Sequence, residues 1–167
     1  VDFNTLIDDA LTAASTHINR EPRNKLAQLN RAKNLTTTHA ITESFSILTE
    51  ETKNELLMLL DNLAHTNLGF LQIKAIKSKL QSFIVGEYQN HKEHLVKMRI
   101  YRDEYNFNDF IQKELNDVLS AIEIKICIIN QAAKNRMYKA IWEVSRIVVT
   151  AVIGGIMGAY IKSWIAP

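Results

Sequence analysis

Apolar residues recur at intervals of three and four along most of the chain, the mark of helices that bury one face. Phe3, Leu6, Ile7, Ala10, Leu11 and Ala14 open the series and predict a helix of about four turns. Arg20-Glu21-Pro22-Arg23 interrupts it. Pro22 suits the first turn of a following helix, where the backbone N–H it lacks would have no partner anyway. That helix carries a weaker stripe, Leu26, Leu29 and Ala32. From Thr38 the stripe strengthens through Ile41, Phe45, Leu48, Thr52, Leu56, Leu59 and Leu63, predicting one long helix to about residue 65. Thr52 and Glu55 have the spacing of a capping box, but the periodicity runs through them without a break. Thr66-Asn67-Leu68-Gly69 reads as the stop, with Gly69 in the left-handed conformation.

The next stripe is Ile73, Ile76, Leu80, Phe83, Ile84, Tyr88, Leu95, Met98, Tyr101 and Tyr105. Gly86 lies inside it and suggests a kink or a close approach. Asn106-Phe107-Asn108-Asp109 reads as a turn, with Asn108 as helix cap. Ile111, Leu115, Val118, Ile122, Ile126, Ile129, Ala133, Met137, Ala140, Ile141 and Val144 then continue without a breaker. A single helix from about residue 109 to about 164 would be about 80 Å long. The short turn before it predicts that its first part pairs with the preceding helix as an antiparallel hairpin.

The expected fold is therefore all-α: an elongated antiparallel helical bundle or coiled coil with a C-terminal transmembrane helix. Residues 1–35 form N-terminal helices, 36–140 a cytoplasmic bundle and 141–165 the anchor.

The anchor rests on Ile147 to Ile161, which holds no charged or amide side chain. Trp142 and Trp164 bracket it about 33 Å apart along a helix, close to the separation of the two headgroup layers where indole rings settle. Tyr160 joins the far belt. Arg146 and Lys162 lie just inside and snorkel outward on their aliphatic stems; Glu143 at the near boundary weighs against the assignment. Lys134, Arg136, Lys139 and Arg146 precede the span and Lys162 alone follows, which places the N-terminal part in the cytoplasm and only a few residues beyond the membrane. The competing reading is an apolar helix buried in a soluble bundle.

Small residues repeat every four positions inside the span: Thr150, Gly154 and Gly158 on one ridge, Ala151, Gly155 and Ala159 on the next. They form a shallow face on which a second helix approaches closely in lipid. With one span per chain, that partner is a second copy or another membrane protein.

Composition adds little chemistry. Five glycines and two prolines leave room for few loops. The net charge of +2 gives no case for nucleic acid. It is unevenly spread: residues 1–66 carry six basic and nine acidic side chains, residues 67–146 thirteen and nine. A basic excess before an apolar span attracts anionic headgroups, although over most of that length it reads as a solvated helix surface. Cys127, the lone cysteine, rules out an internal disulfide and reads as a buried, inert thiol. The acidic start, Val1 to Asp9, lacks the form of a secretory signal.

His91 and His94, with Glu87 one turn earlier, have a loose metal-ligand spacing but not that of a hydrolytic zinc helix. The acidic pairs Asp8-Asp9 and Glu50-Glu51 read as complements to helix dipoles. Asn34-Leu35-Thr36 matches a glycosylation sequon that a cytoplasmic domain leaves unused. Tyr88, Tyr101 and Tyr105 read as core. No phosphate loop or nucleophile elbow occurs. The expectation is a non-enzymatic, tail-anchored scaffold or interaction module without cofactor, metal or small-molecule substrate. It meets the lipid bilayer and associates with itself or another membrane protein. Alternatives are a pore-forming oligomer of the holin or toxin type and a soluble helical subunit.

Overall fold

The computed structural model describes residues 2–35, 38–66, 68–102 and 106–165, with side chains as far as Val152. Five helices follow one another: α1 (Phe3–Ile18), α2 (Arg20–Arg31), α3 (Thr38–Ala64), α4 (Phe70–Lys97) and α5 (Asn108–Ile165). Among the described residues there is no strand, so the all-α expectation holds. The chain divides into two compact units, residues 1–129 and 130–167.

In the first unit polar cross-links give the helix directions. Thr49 and Ser44 of α3 meet Tyr88 and His91 of α4, so these two run antiparallel. Asp8 and Asn19 of the first segment meet Lys79 and Glu87 of α4, so α1 runs parallel to α4. On α5, Glu114 and Glu123 meet Tyr88 and Lys77 of α4. That is the antiparallel hairpin expected from the short turn. Lys53 and Asp61 of α3 pair with Asp117 and Lys125 of α5. The α3–α4 pair is thus shared, contacting α1 and α2 as well as α5.

The apolar stripes supply the cohesion. Ile7, Leu11, Ala14 and Ile18 of α1 and Leu26 and Leu29 of α2 are buried. So are Phe45, Leu48, Leu56 and Leu60 of α3, Leu80, Ile84 and Leu95 of α4, and Val118, Ile122, Ile126 and Ile129 of α5. Each large apolar side chain contributes about 1.5–3 kcal/mol on burial, against about 0–1 kcal/mol for an exposed ion pair. The ion pairs along α5 therefore select register, and its buried stripe holds it in place.

Several local expectations need correction. The break between α1 and α2 is Asn19 alone, not Arg20–Arg23. Asn19 stays in right-handed helical geometry (φ −80°, ψ −11°), and its Nδ2 donates to the Ser15 carbonyl at 2.8 Å. Pro22 falls inside the first turn of α2, where its missing N–H removes one bond across the junction.

Gly69 is not left-handed. Its φ of −78° and ψ of 160° make it the extended cap preceding α4, and its N–H donates to Gln72 Oε1 at 2.8 Å. That is half of a capping box, since glycine has no side chain to return the bond. The left-handed residues are Lys33 (φ 58°) and Arg99 (φ 60°). Each closes a Schellman turn: Asn34 N donates to Leu29 O and Ile100 N to Leu95 O. Because of Arg99, α4 stops at Lys97, and Tyr101 is buried outside the helix rather than on its stripe. Tyr105 lies outside the described residues.

Cys127 is exposed, not buried. The covered face of α5 passes through Ile122, Ile126 and Ile129, and Cys127 stands about 100° round the helix from Ile126.

Gly86 has neither suggested role. It sits in unbroken helix, and a Cβ built there meets nothing within 4 Å. Gly86→Ala should therefore raise stability by about 1 kcal/mol through helix propensity alone. Thermal or urea unfolding checks this, and a destabilised variant would show that the position needs glycine.

Candidate functional site

In the second unit, α5 carries its apolar side chains uncovered. Met137, Tyr138, Ile141, Trp142, Val144, Ile147, Val148, Val149 and Val152 are all exposed. Successive residues step about 100° round a helix, so Ile147, Val148 and Val149 point in three directions. Lys139, Glu143, Arg146 and Thr150, also exposed, follow at intervals of four, three and four and share one narrow face, and apolar side chains occupy the rest of the circumference. The two hydroxyls there are satisfied by their own helix: Ser145 Oγ donates to Trp142 O at 2.9 Å and Thr150 Oγ1 to Arg146 O at 2.7 Å. This back-bonding suits an apolar surrounding, where an unsatisfied hydroxyl is costly.

Of the small-residue ridges, Thr150 and Ala151 are placed, and both are exposed. Of the interfacial residues, Trp142 is 70% exposed and Arg146 is exposed. Gly154, Gly155, Gly158, Ala159, Tyr160, Lys162 and Trp164 lie beyond the described side chains, although the backbone is helical to Ile165. Among the described residues no helix is long and apolar enough to cross a membrane. Most of the expected span falls in the part whose side chains are not described.

The first unit contains a polar layer that sequence reading only touched. Glu87, Tyr88 and His91 share about one turn of α4, and all are buried. Glu87 accepts from Ser15 Oγ and Asn19 Nδ2, both at 2.6 Å, tying α4 to the α1–α2 junction. His91 Nε2 lies 3.1 Å from Ser44 Oγ. Ser44 spends its one hydroxyl proton on Ile41 O at 3.0 Å, so it accepts from His91, and the proton of the neutral imidazole is on Nε2. The ring packs edge-on against Phe45, with centroids 4.9 Å apart.

Tyr88 joins three helices. Its hydroxyl lies 2.5 Å from Thr49 Oγ1 and 3.2 Å from Glu114 O. Burial pushes its pKa upward, with Thr49 partly offsetting this. At the edge of the bundle, Lys25 holds Glu43 at 2.5 Å. That bond keeps the Glu43 carboxyl below its usual range, with His39 adding to the effect.

Each bond of the layer ties α4 to another element of the bundle. The candidate metal trio is not assembled: among the described residues no group of three or more His, Cys, Asp or Glu surrounds a common point. Glu87 and His91 each bond to a different helix. A polar groove of about 410 Å³ beside the layer, lined by Ser15, Thr16, Asn19, Arg20, Arg23 and Asn24, is open to solvent.

Comparison of the chain with protein-family models, with curated proteins and with solved structures finds no match in any of the three. The functional reading therefore stands on the residues themselves.

Two outcomes follow from the polar layer. Burial lowers His91 from its ordinary 6.5 to about 4, with His94 and Arg23 adding to the effect. Between those values the unfolded chain binds the extra proton and the folded one does not. Stability is then full above pH 6.5 and falls toward pH 4, by about 3 kcal/mol from this group. Urea unfolding across that range should show the slope, and His91→Gln should flatten it; an unchanged slope would assign the acid sensitivity elsewhere. Tyr88→Phe should cost about 1 kcal/mol, since Thr49 keeps its bond to Phe45 O. A loss several times larger would mean that the phenol organises the whole layer.

Proposed function

We propose that this chain is a membrane-anchored helical interaction module. A bundle formed by residues 1–129 is tethered through α5, which crosses a bilayer between about Trp142 and Trp164 and self-associates there. One observation carries the reading: from Met137 to Val152 exposed apolar side chains cover most of the circumference of α5, and from Ile147 to Ile161 the sequence is free of charge. Water is a poor solvent for such a segment, and hydrocarbon a good one. A continuous helix satisfies its backbone groups internally, as a lipid interior demands.

The self-association face is the pair of small-residue ridges, Thr150-Gly154-Gly158 and Ala151-Gly155-Ala159. Thr150 directs its hydroxyl to Arg146 O, which leaves little to line an aqueous channel and supports an anchor over a pore. The basic residues before Trp142 support a cytoplasmic bundle. Nothing in the polar layer calls for a catalytic role or a bound cofactor.

Membrane fractionation tests the anchor. The full chain should remain with membranes through carbonate washing and need detergent for release, and a version ending at Lys139 should be soluble. A full chain that stays in solution without detergent refutes the proposal. For the interface, chemical cross-linking in membranes should yield discrete oligomers that collapse to monomer in Gly154→Ile with Gly158→Ile. Oligomers of unchanged size would place the contact elsewhere.

A further inference from the structure

In the bundle, Lys25, Lys53, Lys77, Lys79 and Lys125 sit against Glu43, Asp117, Glu123, Asp8 and Asp61 respectively. Between Asn130 and Val152 stand Lys134, Arg136, Lys139 and Arg146 with one carboxylate, Glu143. All five are exposed. Among the described residues, Lys134, Lys139 and Arg146 belong to no ion pair. This stretch therefore presents a positive excess that its own carboxylates do not neutralise.

The placement of that excess is specific. Tyr138 and Trp142 are exposed among the cations. Along the helix, Lys139 lies about 4.5 Å and Lys134 about 12 Å from Trp142. That is comparable to the distance of about 8–10 Å over which a charged surface acts at physiological ionic strength. At about 100° per residue, Arg136, Lys139 and Arg146 share an arc of about 80° and Lys134 stands on the opposite side. A helix lying flat on a membrane with the first three would hold Lys134 away from it. A helix passing through a headgroup layer brings all four among anions.

We propose that the segment from Lys134 to Arg146 selects anionic phospholipid headgroups in the leaflet facing the bundle. The proposal rests on α5 crossing a bilayer and adds the lipid class that surrounds its entry point. The lysines and arginines draw phosphate and carboxylate groups to the helix, with Tyr138 and Trp142 holding that stretch at headgroup depth.

The test uses the full chain with Trp164→Phe, so that indole fluorescence reports Trp142. The protein is reconstituted into phosphatidylcholine vesicles containing a minor share of phosphatidylserine. One lipid at a time carries brominated acyl chains, which quench indole on contact. At equal mole fraction, brominated phosphatidylserine should quench about twofold more than brominated phosphatidylcholine, and added salt should shrink the difference. Lys134→Gln with Lys139→Gln should remove it. Equal quenching in the unsubstituted segment overturns the lipid selection and leaves the span intact. Quenching by neither lipid overturns the span and the selection together. A preference that survives the double substitution overturns the assignment to these cations.

Discussion

Removing apolar helix faces from water is the constraint on which the whole chain turns, and it is met in one way up to Ile129 and not met after it. Around Phe45 the faces of α3 and α4 close against each other, against α1 and α2, and against the first part of α5. The stripe Val118-Ile122-Ile126-Ile129 is the last to be covered. Beyond it the same helix continues with many apolar residues, and those from Met137 to Val152 lie open. An uncharged helix such as the run from Ile147 to Ile161 needs either a protein interior or a lipid one. The proposed anchor takes the second of these.

The polar layer on α4 serves the first solution. Glu87, Tyr88 and His91 reach three different neighbours, Ser15 with Asn19, Thr49 with Glu114, and Ser44. A buried polar group left without its partner costs about 1–3 kcal/mol. Any shifted register that breaks these bonds is penalised, although purely apolar stripes would tolerate it more easily. The layer thus gives specificity to a bundle whose stripes alone leave sliding possible. It also gives the bundle a sensitivity to acid, since one of its members is a neutral histidine. In the second unit the hydroxyls of Ser145 and Thr150 turn back onto their own helix. The bundle uses both kinds of bond, between helices at Glu87, Tyr88 and His91 and within a helix at Thr12, Thr49 and Thr52.

Much of the fold was legible because three-four periodicity is a strong local signal. The bounds of α1 and α3, the absence of a break at Thr52, and the antiparallel pairing of α4 with α5 all follow from where the stripes begin, run and end. The errors cluster where a single residue's conformation decides. No glycine announces the ends of α2 and α4, because Lys33 and Arg99 occupy the left-handed positions themselves. Gly69, which does look like a stop, is instead the extended start of the next helix. The exposure of Cys127 turned on about 100° of helix rotation, a quantity that a broad apolar run conceals. The Glu87 pairing was illegible because Ser15 and Asn19 lie about seventy residues away in the chain, and nothing local signals such a partner.

By itself the sequence determined helix content, the main apolar stripes, the uncharged run from Ile147 to Ile161 and the basic residues before it. These are properties of neighbours in the chain, set by side-chain type and helical geometry. Only the tertiary structure decided which apolar residues are covered, where cover ceases, and which polar groups on distant helices satisfy one another. Those depend on packing between segments far apart in sequence, and no local pattern encodes the rotation and register at which two helices meet.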